Sequence, residues 1–563
     1  MAEIRKLIEK YALQNAVKYR AAPNSGAVMG KLMGEHPELR PRAKEVGPEI
    51  KTVLAQVAKM SPEEWQKRLE AIAPELIAEL SEHKEPAKGL PDLEGAEGGV
   101  VMRFAPNPNG PPTLGSARGI IINSEYVKKY GGKFLIRFDD TDPVKKRPMP
   151  EAYDWYLEDC TWLSAKPDQV IIASERLPLY YEIAEELIHM GGAYVCQCEQ
   201  LAFKEHKDAG IACVHRDRSP EENMDLWKKM LDGTLAEGKA VLRVKTDMSH
   251  KDPAIRDWAA FRIVTASHPH VGAKYRVWPL LDLESAIEDH LLGMTHILRG
   301  KDLADSERRQ KYLYKHMGWE YPKVIHWGKI KIHQFGSFST SKLKRAIEAG
   351  EYSGWDDPRV PTVRALRCRG IRPEALRKFM VELGVGETDI SISMDTIYAE
   401  NRKLIDPEAN RYFFVWDPVL LEIEGDVPVL ASAPLHPTID RGFRKIPTGN
   451  DVFVCKSDLE NLKMDDRFRL KDFCNVELVS KEPAKARLID ADPETARKNK
   501  LRIIHWVPRD GLPVKVLKPD GFDVGLGEAG IANELNRVVQ FERYGFVRIN
   551  CLGEPIVANY AHR

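Results

Sequence analysis

The sequence has no excess of charge of either sign and no long apolar run. Its 563 residues include 84 basic and 84 acidic side chains, so the formal net charge is zero. The strongly basic balance that most simply marks a nucleic-acid-binding protein is absent, although a local basic surface is compatible with a neutral total. No apolar stretch is long enough to cross a membrane, and the charged start MAEIRKLIEK is unlike a secretory signal.

Cysteine is also scarce. Eight cysteines in a chain of this length are too few for a disulfide framework, which favours the cytoplasm as the compartment. The remaining composition, 43% hydrophobic and 30% charged, is typical of a soluble globular protein. A chain of 563 residues is expected to divide into several domains.

The hydrophobic pattern predicts a multidomain α/β protein with a β-rich end. Apolar residues recur at helical spacing near the N-terminus, strands and helices then alternate as in a doubly wound parallel sheet, and short strands separated by turns fill the C-terminal third. The predicted segments are a helical domain at 1–98, the two halves of the parallel sheet at 99–195 and 276–356, an insertion at 196–275, a helical region at 357–412, and a β region of barrel or sandwich type at 413–563.

The stretch RFAPNPNGPPTLGSARGIII carries the first candidate site. A strand ends at Ala105, a proline-rich loop follows, and a helix begins near Thr113 to Gly115. Such a turn places free backbone N–H groups and the positive end of a helix dipole at the edge of a parallel sheet, where nucleotide phosphates bind. A turn built for structural reasons alone fits this segment equally well.

Several motifs resemble the class I glutamyl- and glutaminyl-tRNA synthetases. Arg103 to Gly110 is similar to the opening of their Rossmann catalytic domain, and their tetrapeptide His-Ile-Gly-His falls on Thr113 to Ser116, with both histidines missing. YSGWDDPRVPTVRALRCRGI and IDPEANRYFFVWDPV also resemble this group. The resemblance implies an acceptor-stem insertion, a helical stem-contact region, anticodon-binding β-barrels and, in archaeal-type members, an N-terminal helical domain that we expect to dock another protein.

The resemblance assigns ATP, accompanied by Mg²⁺, to the turn and to a second motif, GSFSTSKLKR at 336–345. That motif matches the family's mobile lysine loop at Ser341 and Lys342. A lysine on a flexible stem can follow the charge that builds up on phosphate oxygens during adenylation. Thr113, Ser116, Ser341 and Lys342 are therefore the predicted catalytic residues, and the predicted ATP contacts are Pro106, Asn107, Pro108, Gly115, Arg118, Gly300 and Lys342.

Three residues at the ends of predicted strands are candidates for the amino-acid pocket: Arg103, Asp139 and Arg299. The alternative is that they form surface ion pairs, as most such residues do. In the family, the position of Arg299 is arginine where the substrate is glutamate and uncharged where it is glutamine, so the resemblance favours glutamate. The tyrosine that many relatives place against the substrate falls on Leu281. The alternatives are looser packing of the substrate or another ring in that place, with Tyr275 and Trp278 nearby in the sequence.

Cys196, Cys198, Cys213 and His215 form two close pairs of zinc ligands separated by a loop. Four protein ligands would make a structural Zn²⁺ site with no open position for water. The alternative is three buried thiols and a surface histidine. A similar site occurs in the acceptor-stem insertion of some family members.

A run of basic residues follows the lysine loop, and Arg364, Arg367, Arg369 and Arg372 are its predicted tRNA contacts. The resulting function is ATP-dependent ligation of L-glutamate to tRNA(Glu) through glutamyl-adenylate, with tRNA(Gln) as a second substrate if the enzyme does not discriminate. The alternatives are a glutaminyl-tRNA synthetase, which Arg299 disfavours, and a non-catalytic tRNA-binding paralogue, which the missing histidines suggest.

Overall fold

A computed structural model describes residues 2–19, 22–76, 89–336 and 339–563. The chain forms two compact units, residues 1–88 and 89–563. No helix within the described ranges is long and apolar enough to cross a lipid bilayer.

The first unit is helical, as predicted. Ser61 begins its fourth helix with a capping box, in which the Ser61 side chain accepts from Glu64 N and Ser61 N donates to Glu64 Oε2 at 2.7 Å. Trp65 and Leu69 then lie on the buried face. The helices are α1 Ala2–Tyr19, α2 Ser25–Glu35, α3 Ala43–Val57 and α4 Pro62–Ile72, with a 3-10 turn at Pro37–Arg42.

The first compact unit ends at residue 88, whereas the sequence predicts a helical domain that ends at residue 98. Residues 89–98 belong to the second unit. Leu93 and Ala96 are buried against Val100 and Tyr126 there, and Leu93 N donates to Tyr130 Oη at 2.9 Å. Residues 89–98 are therefore packed against the first strand of the second unit and the helix that follows it.

The first half of the predicted parallel sheet is confirmed. Three strands pair in parallel, with β1 beside β2 and β2 beside β3. Ile120 and Ile121 of the first helix are fully buried and share a core with Phe134 and Ile136 of β2. The elements are β1 Val100–Phe104, α5 Leu114–Tyr130, β2 Gly132–Phe138, α6 Pro150–Trp162, β3 Gln169–Ile172 and α7 Leu177–His189.

An antiparallel four-stranded sheet interrupts this pattern where the sequence predicts an insertion. Its core holds Trp227, Phe261 and Trp278, each fully buried. Alternating burial along β5 is the pattern of a sheet with one covered face. The elements are β4 Ala193–Cys196, α8 Gln200–Ala209, α9 Pro220–Asp232, β5 Val241–Val244, β6 Ala259–Ile263 and β7 Val277–Pro279.

The second half of the parallel framework contains α10 Leu281–Leu291, β8 His296–Gly300, α11 Ala304–Met317 and β9 Lys323–Trp327. β8 and β9 pair in parallel. The two halves meet beside β1, where Val101 N donates to Thr295 Oγ1 at 3.0 Å and Thr295 N donates to Val101 O at 3.1 Å. The carboxyl ends of β1, β2 and β8 therefore lie at one edge.

A helical region follows, as predicted. The short strands β10 Ile330–Ile332 and β11 Ile390–Ile392 pair in parallel and connect it to the catalytic region. Its core joins that of β1 to β3, since Leu366, Leu376 and Phe379 pack with Leu114 and Phe134. The helices are α12 Thr340–Glu348, α13 Val363–Cys368, α14 Pro373–Leu383 and α15 Met394–Ile405.

The C-terminal third forms two seven-stranded sheets that are nearly closed barrels, which confirms the predicted β-barrel region. One has the order β12-β25-β26-β27-β23-β24-β13 and the other β21-β18-β19-β20-β14-β17-β22. Near closure follows because the two edge strands of each sheet are separated by one residue, Phe413 or His505. The elements are β12 Arg411–Tyr412, β13 Phe414–Trp416, β14 Pro418–Glu424, β15 Leu430–Pro434, β16 Phe443–Pro447, β17 Asp451–Cys455, α16 Lys456–Glu460, β18 Arg467–Leu470, β19 Asn475–Lys481, β20 Ala484–Asp490, α17 Pro493–Asn499, β21 Arg502–Ile504, β22 Trp506–Pro508, β23 Leu512–Lys518, β24 Gly521–Gly527, β25 Val538–Phe541, β26 Gly545–Cys551 and β27 Ile556–His562.

Candidate active site

The proline-rich turn after β1 is fastened to the segment that follows β2. Asp139 N donates to Pro106 O at 2.9 Å, and Asn107 Nδ2 donates to Asp139 O at 3.0 Å. Met149 N donates to Pro108 O at 2.8 Å. The turn that the sequence predicts to bind a nucleotide is thus held in one conformation by its neighbours.

Thr113 and Ser116, the residues at the histidine positions of the family tetrapeptide, interact with each other. Thr113 is the N-cap of α5, its Oγ1 accepts from Ser116 N at 3.4 Å, and the two hydroxyl oxygens are 3.3 Å apart. The Thr113 hydroxyl therefore caps the helix N-terminus, a position where threonine is among the preferred residues. Between them, Gly115 leaves open space, because an added Cβ would meet only Thr113 Oγ1, at 3.7 Å.

A cavity of about 760 Å³ lies between the first turns of α5 and the carboxyl end of β8. Gly115, Arg118 and Gly300, which the sequence predicts as ATP contacts, all line it. Trp327 and His333 also line it, and the sequence motifs did not identify them. A ring and two glycines around one cavity suit a flat base and the phosphates beside it.

Arg118 has a different environment from a surface phosphate ligand. Its side chain is buried, Nη2 donates to Gly384 O at 2.6 Å, and Nη1 donates to Gly328 O at 3.0 Å. The guanidinium also lies 4.9 Å from the centre of the Trp327 ring. Burial lowers the pKa of Arg118 to about 10. Arg118 therefore supports the cavity wall through backbone carbonyls, and its contact with ATP stays a prediction.

The predicted glutamate contacts Arg103 and Arg299 converge on a buried carboxylate, Asp289. Arg103 Nε donates to Asp289 Oδ1 at 2.9 Å and Arg103 Nη2 to Oδ2 at 3.1 Å. Arg299 Nη2 is 3.8 Å from Asp289 Oδ2. Burial alone would raise the pKa of Asp289, but Arg103 and Arg137 outweigh it and hold that pKa below its ordinary value.

Arg137 connects this cluster to Asp139. Its Nε donates to Asp139 Oδ1 at 2.6 Å, and its Nη1 donates to Asp289 Oδ1 at 2.7 Å. Arg103, Asp139 and Arg299 are thus brought together, although as members of one buried ion network and not as surface pairs. Sequence reasoning missed Arg137 and Asp289. The sequence signal for Asp289 was its place among the acidic residues of α10. In the structure, all positions from 283 to 289 of that helix are buried.

Glu284 is the exceptional member of this neighbourhood. It is fully buried, and neither carboxyl oxygen has a hydrogen-bond partner among the described residues. Its nearest cation is Arg137, with Nε 3.5 Å from Oε1. Burial raises the pKa of Glu284 well above its ordinary value and the nearby Asp139 raises it further, so the neutral form is favoured.

Arg299 is positioned by a second set of contacts. Its Nη1 donates to Gln310 Oε1 at 3.1 Å, and Tyr321 Oη donates to the same oxygen at 2.7 Å. Its Nε is buried and has no hydrogen-bond partner in the described parts of the chain. Leu281, at the family's tyrosine position, is 42% exposed, whereas Trp278 is fully buried and stacks on His268, so Trp278 does not replace that tyrosine.

The lysine loop approaches the proline-rich turn. Ser339 caps α12 by accepting from Lys342 N at 3.3 Å, which places Ser341 and Lys342 in the exposed first turn of that helix. A Cβ on Gly110 would lie 2.5 Å from Thr340 Cγ2, so the two motifs are in contact. Residues 337 and 338 of the motif lie outside the described residues.

The four predicted metal ligands form one cluster. The ligand atoms of Cys196, Cys198, Cys213 and His215 all lie within 4.8 Å of one another. Cys196 Sγ is 3.9 Å from Cys213 Sγ, and Cys198 Sγ is 3.3 Å from His215 Nδ1. Ligands of a tetrahedral zinc ion with bonds of about 2.3 Å are about 3.8 Å apart, so this donor set fits zinc.

The four predicted tRNA contacts are in different environments. Arg364 Nη1 donates to Glu158 Oε2 at 2.7 Å, Arg372 pairs with Glu408, and Arg367 is exposed without a carboxylate partner among the described residues. The prediction for Arg369 is wrong. Its side chain is 1% exposed, because it crosses to the last strand and donates to Tyr560 O at 3.0 Å and Ala561 O at 2.7 Å.

Comparison with known proteins covers nearly all of this second unit. Residues 99–407 match the family model described as the catalytic domain of class I tRNA synthetases (E and Q). Residues 409–491 and 503–550 match two models for the anticodon-binding domain of the same family. These matches coincide with the parallel framework, its insertion and helical region, and then the two barrels.

Full-length relatives are equally informative. The chain is 70% identical over 561 residues to the glutamate–tRNA ligase of Methanothrix thermoacetophila, with 100% of both chains covered. It is 61% identical over 563 residues to that of Methanosarcina acetivorans, with 99% of each covered, and 49% identical over 572 residues to that of Pyrococcus abyssi, with 100% of each covered. With the geometry above, these matches show that the chain belongs to the class I tRNA synthetases for glutamate and glutamine.

Proposed function

We propose that the protein ligates L-glutamate to the 3′ end of tRNA(Glu) and that Arg299 selects glutamate. The observation that carries this proposal is the buried Arg299 Nε, which has no acceptor among the described residues. An unpaired guanidinium N–H is costly in the interior and is satisfied when a carboxylate enters. The full-length relatives named above are glutamate–tRNA ligases, which supports the same choice.

The charge of the pocket supports glutamate as well. Arg103, Arg137 and Arg299 contribute three positive charges and Asp139 and Asp289 two negative ones, so the cluster is +1 while Glu284 stays neutral. Glutamate carries a net charge of −1, whereas glutamine carries none. Binding glutamine would leave one buried positive charge uncompensated, which costs several kcal/mol.

The reaction has two steps. The α-carboxylate of glutamate attacks the α-phosphate of ATP, giving glutamyl-adenylate and pyrophosphate, and the terminal ribose hydroxyl of tRNA then takes the glutamyl group. Gly115 and Gly300 border the cavity for ATP, which would be bound with Mg²⁺, and Lys342 stabilises charge on the phosphates. No covalent enzyme intermediate is required, so positioning and electrostatics supply the catalysis. The cytoplasm, where tRNA is charged, is the proposed compartment.

Replacement of Arg299 tests this proposal. Arg299→Gln removes the positive charge and keeps a hydrogen-bonding side chain, so kcat/KM for glutamate should fall by at least about a hundredfold. Arg467→Gln is the control, because Arg467 is an exposed barrel residue paired with Glu477. An Arg299→Gln enzyme with an unchanged kcat/KM for glutamate would contradict the assignment. Parallel assays with tRNA(Glu) and tRNA(Gln) show whether the second tRNA is also a substrate.

We also propose that Cys196, Cys198, Cys213 and His215 hold a structural zinc ion that ties β4 to the segment after α8. Metal analysis of the full-length protein after a chelator wash should find one zinc per chain. Cys198→Ser should lower the zinc content and the midpoint of thermal unfolding, whereas Cys551→Ser, at an exposed cysteine, should change neither. A zinc ratio near zero in the unaltered protein would remove the site.

A further inference from the structure

A second cavity lies between the helical region and the barrel that contains β25 and β26. Its volume is about 570 Å³, and five arginines line it: Arg367, Arg372, Arg441, Arg537 and Arg548. Arg367 lies in the last turn of α13 and Arg372 immediately precedes α14, while Arg441 precedes β16, Arg537 precedes β25 and Arg548 lies in β26. The sequence motifs identified only the first two.

These arginines exceed the acids that face them. Glu408 and Glu534 are the only carboxylates among the described residues that line the cavity, so five arginines and two glutamates give it a net charge of +3. Glu408 pairs with Arg372, and Glu534 Oε2 lies 3.7 Å from Arg537 Nη1. The Glu534 carboxylate is shared, since Oε1 accepts from Asn410 Nδ2 at 2.6 Å and from Tyr412 Oη at 2.8 Å.

Three of the arginines have no carboxylate partner in the described parts of the chain. Arg441 Nε donates to Asn410 Oδ1 at 2.9 Å, and Arg548 Nη2 donates to Asn536 Oδ1 at 2.9 Å. Arg367 is the third. Arg548 is half-buried, and desolvation together with the charge of Arg367 lowers its pKa. Like charges held together in this way are stabilised by a bound anion.

The cavity is held open by fixed contacts. Arg369, which lies in the same turn as Arg367, is buried and anchored to Tyr560 O and Ala561 O of β27. Gly370 lies at φ 88°, and a Cβ there would come within 2.5 Å of Val538 Cγ2. The close approach of the turn to the barrel therefore fixes Arg367 relative to Arg548, so the buried arginine has a structural role in this basic site.

We propose that this arginine cavity binds a backbone phosphate of the tRNA between its acceptor end and its anticodon. The inference rests on the proposed function and adds a specific contact to it. In that reaction tRNA is the only substrate large enough to extend from the active site to the barrels. Guanidinium groups match phosphate oxygens in geometry, and the half-buried Trp162 ring in the same cavity provides a surface on which a base can stack.

The test measures tRNA binding directly, without ATP or amino acid, at salt concentrations from about 50 to 200 mM. Arg441→Gln/Arg548→Gln should weaken the binding of purified tRNA(Glu) at least tenfold at low salt. The slope of log Kd against log salt should decrease by about 0.7–0.9 for each phosphate that the variant no longer neutralises. The single variant Arg548→Lys retains the charge, so it should keep most of the slope of the unaltered protein.

Arg497→Gln is the matched control, since Arg497 is an exposed arginine in the barrels that pairs with Glu494 and does not line the cavity. An unchanged slope of log Kd against log salt in the double variant would overturn the inference. This holds even if binding is weaker, because weaker binding with a lower unfolding midpoint and an unchanged slope would reflect a loss of stability. Saturable binding of inorganic phosphate that leaves tRNA binding unaffected would identify a small-anion site and also overturn it. Because the assay needs no catalysis, failure to charge glutamate is a separate result that bears on the proposed function alone.

Discussion

Asp289 is the residue on which the proposed amino-acid pocket depends most. One fully buried carboxylate compensates Arg103 and Arg137 directly and lies 3.8 Å from Arg299. Burying such a network costs free energy of folding. Removing one member costs more, because its partners are left as uncompensated charges in the interior. The pocket is therefore preorganised for an anion by a negative residue that holds the arginines in place.

Asp289→Asn should destabilise the protein by about 3–5 kcal/mol, because the net charge of the cluster rises from +1 to +2 without a change in side-chain size. Chemical denaturation measures this free energy of unfolding. Asp282→Asn, on the same helix, is the control, since Asp282 pairs with Arg309 near the surface and should cost about 1 kcal/mol or less. Equal effects of the two substitutions would argue against a buried network.

Asp159 predicts a pH dependence of stability. It is fully buried, neither carboxyl oxygen has a hydrogen-bond partner within the described ranges, and burial raises its pKa to about 7 from the ordinary 3.8, although Arg364 and Arg367 oppose the shift. Between these two pH values the unfolded chain releases the proton and the folded chain keeps it. The contribution of this residue to stability therefore falls as pH rises from about 4 to about 7, by at most about 4 kcal/mol, and is constant above that range.

Asp159→Asn should remove this dependence and raise the stability at neutral pH. Denaturation midpoints measured at pH values of about 5 and about 8 check the prediction. The difference between the two midpoints should be smaller in the variant than in the unaltered protein. An identical difference in both proteins would show that Asp159 has an ordinary pKa.

The arginines at 364, 367, 369 and 372 show what sequence could not predict at this scale. All four lie in one basic run, and the prediction treated them alike. Their environments differ: Arg364 pairs with Glu158, Arg367 has no carboxylate partner among the described residues, Arg369 is buried against backbone carbonyls of β27, and Arg372 pairs with Glu408. The first and third of these environments depend on elements about 190 to 210 residues away in the chain, which no local pattern encodes.

At the scale of elements, the contact between the proline-rich turn and the lysine loop gives the prediction that is easiest to test. Gly110 is required there because a Cβ would come within 2.5 Å of Thr340 Cγ2 and 2.9 Å of Trp355 Cη2. Any side chain there must displace Thr340, which lies in the first turn of α12 beside Lys342, or the Trp355 ring. The glycine thus allows the close approach of the two segments that we propose to form the nucleotide site.

Gly110→Ala should lower the rate of ATP–pyrophosphate exchange by about tenfold or more with little loss of stability, because small displacements of a catalytic group are costly. Gly98→Ala is the control, since no described atom lies within 4 Å of an added Cβ there. A Gly110→Ala enzyme with the exchange rate of the unaltered protein would mean that the contact is unimportant for catalysis.

The kinds of elements were predictable because they follow from local periodicity. Alternation of apolar strands with amphipathic helices predicted the parallel framework, and short strands with turns predicted a β region of barrel or sandwich type. The closure of each barrel was not predictable, because strands such as β14 and β20 pair across more than about 60 residues, beyond the reach of any local pattern. The cluster of Cys196, Cys198, Cys213 and His215 was predictable because its four donors lie in two tight pairs that are close together in the chain.

At the scale of the whole molecule, the zero net charge conceals a strong local asymmetry. The arginine cavity carries +3, and the buried amino-acid cluster +1. Both lie in the second unit, and both are suited to anions. A neutral total limits non-specific attraction to nucleic acid, while charge at particular sites provides the attraction that the reaction needs.

The central claim is that a positively charged, preorganised pocket selects glutamate. Its most direct test is the charging of purified tRNA(Glu) by the unaltered protein with ATP and Mg²⁺, using labelled glutamate and labelled glutamine in parallel. The predicted result is efficient glutamylation, with kcat/KM for glutamine lower by at least about a hundredfold. Charging with glutamine at an equal or higher efficiency would contradict the account.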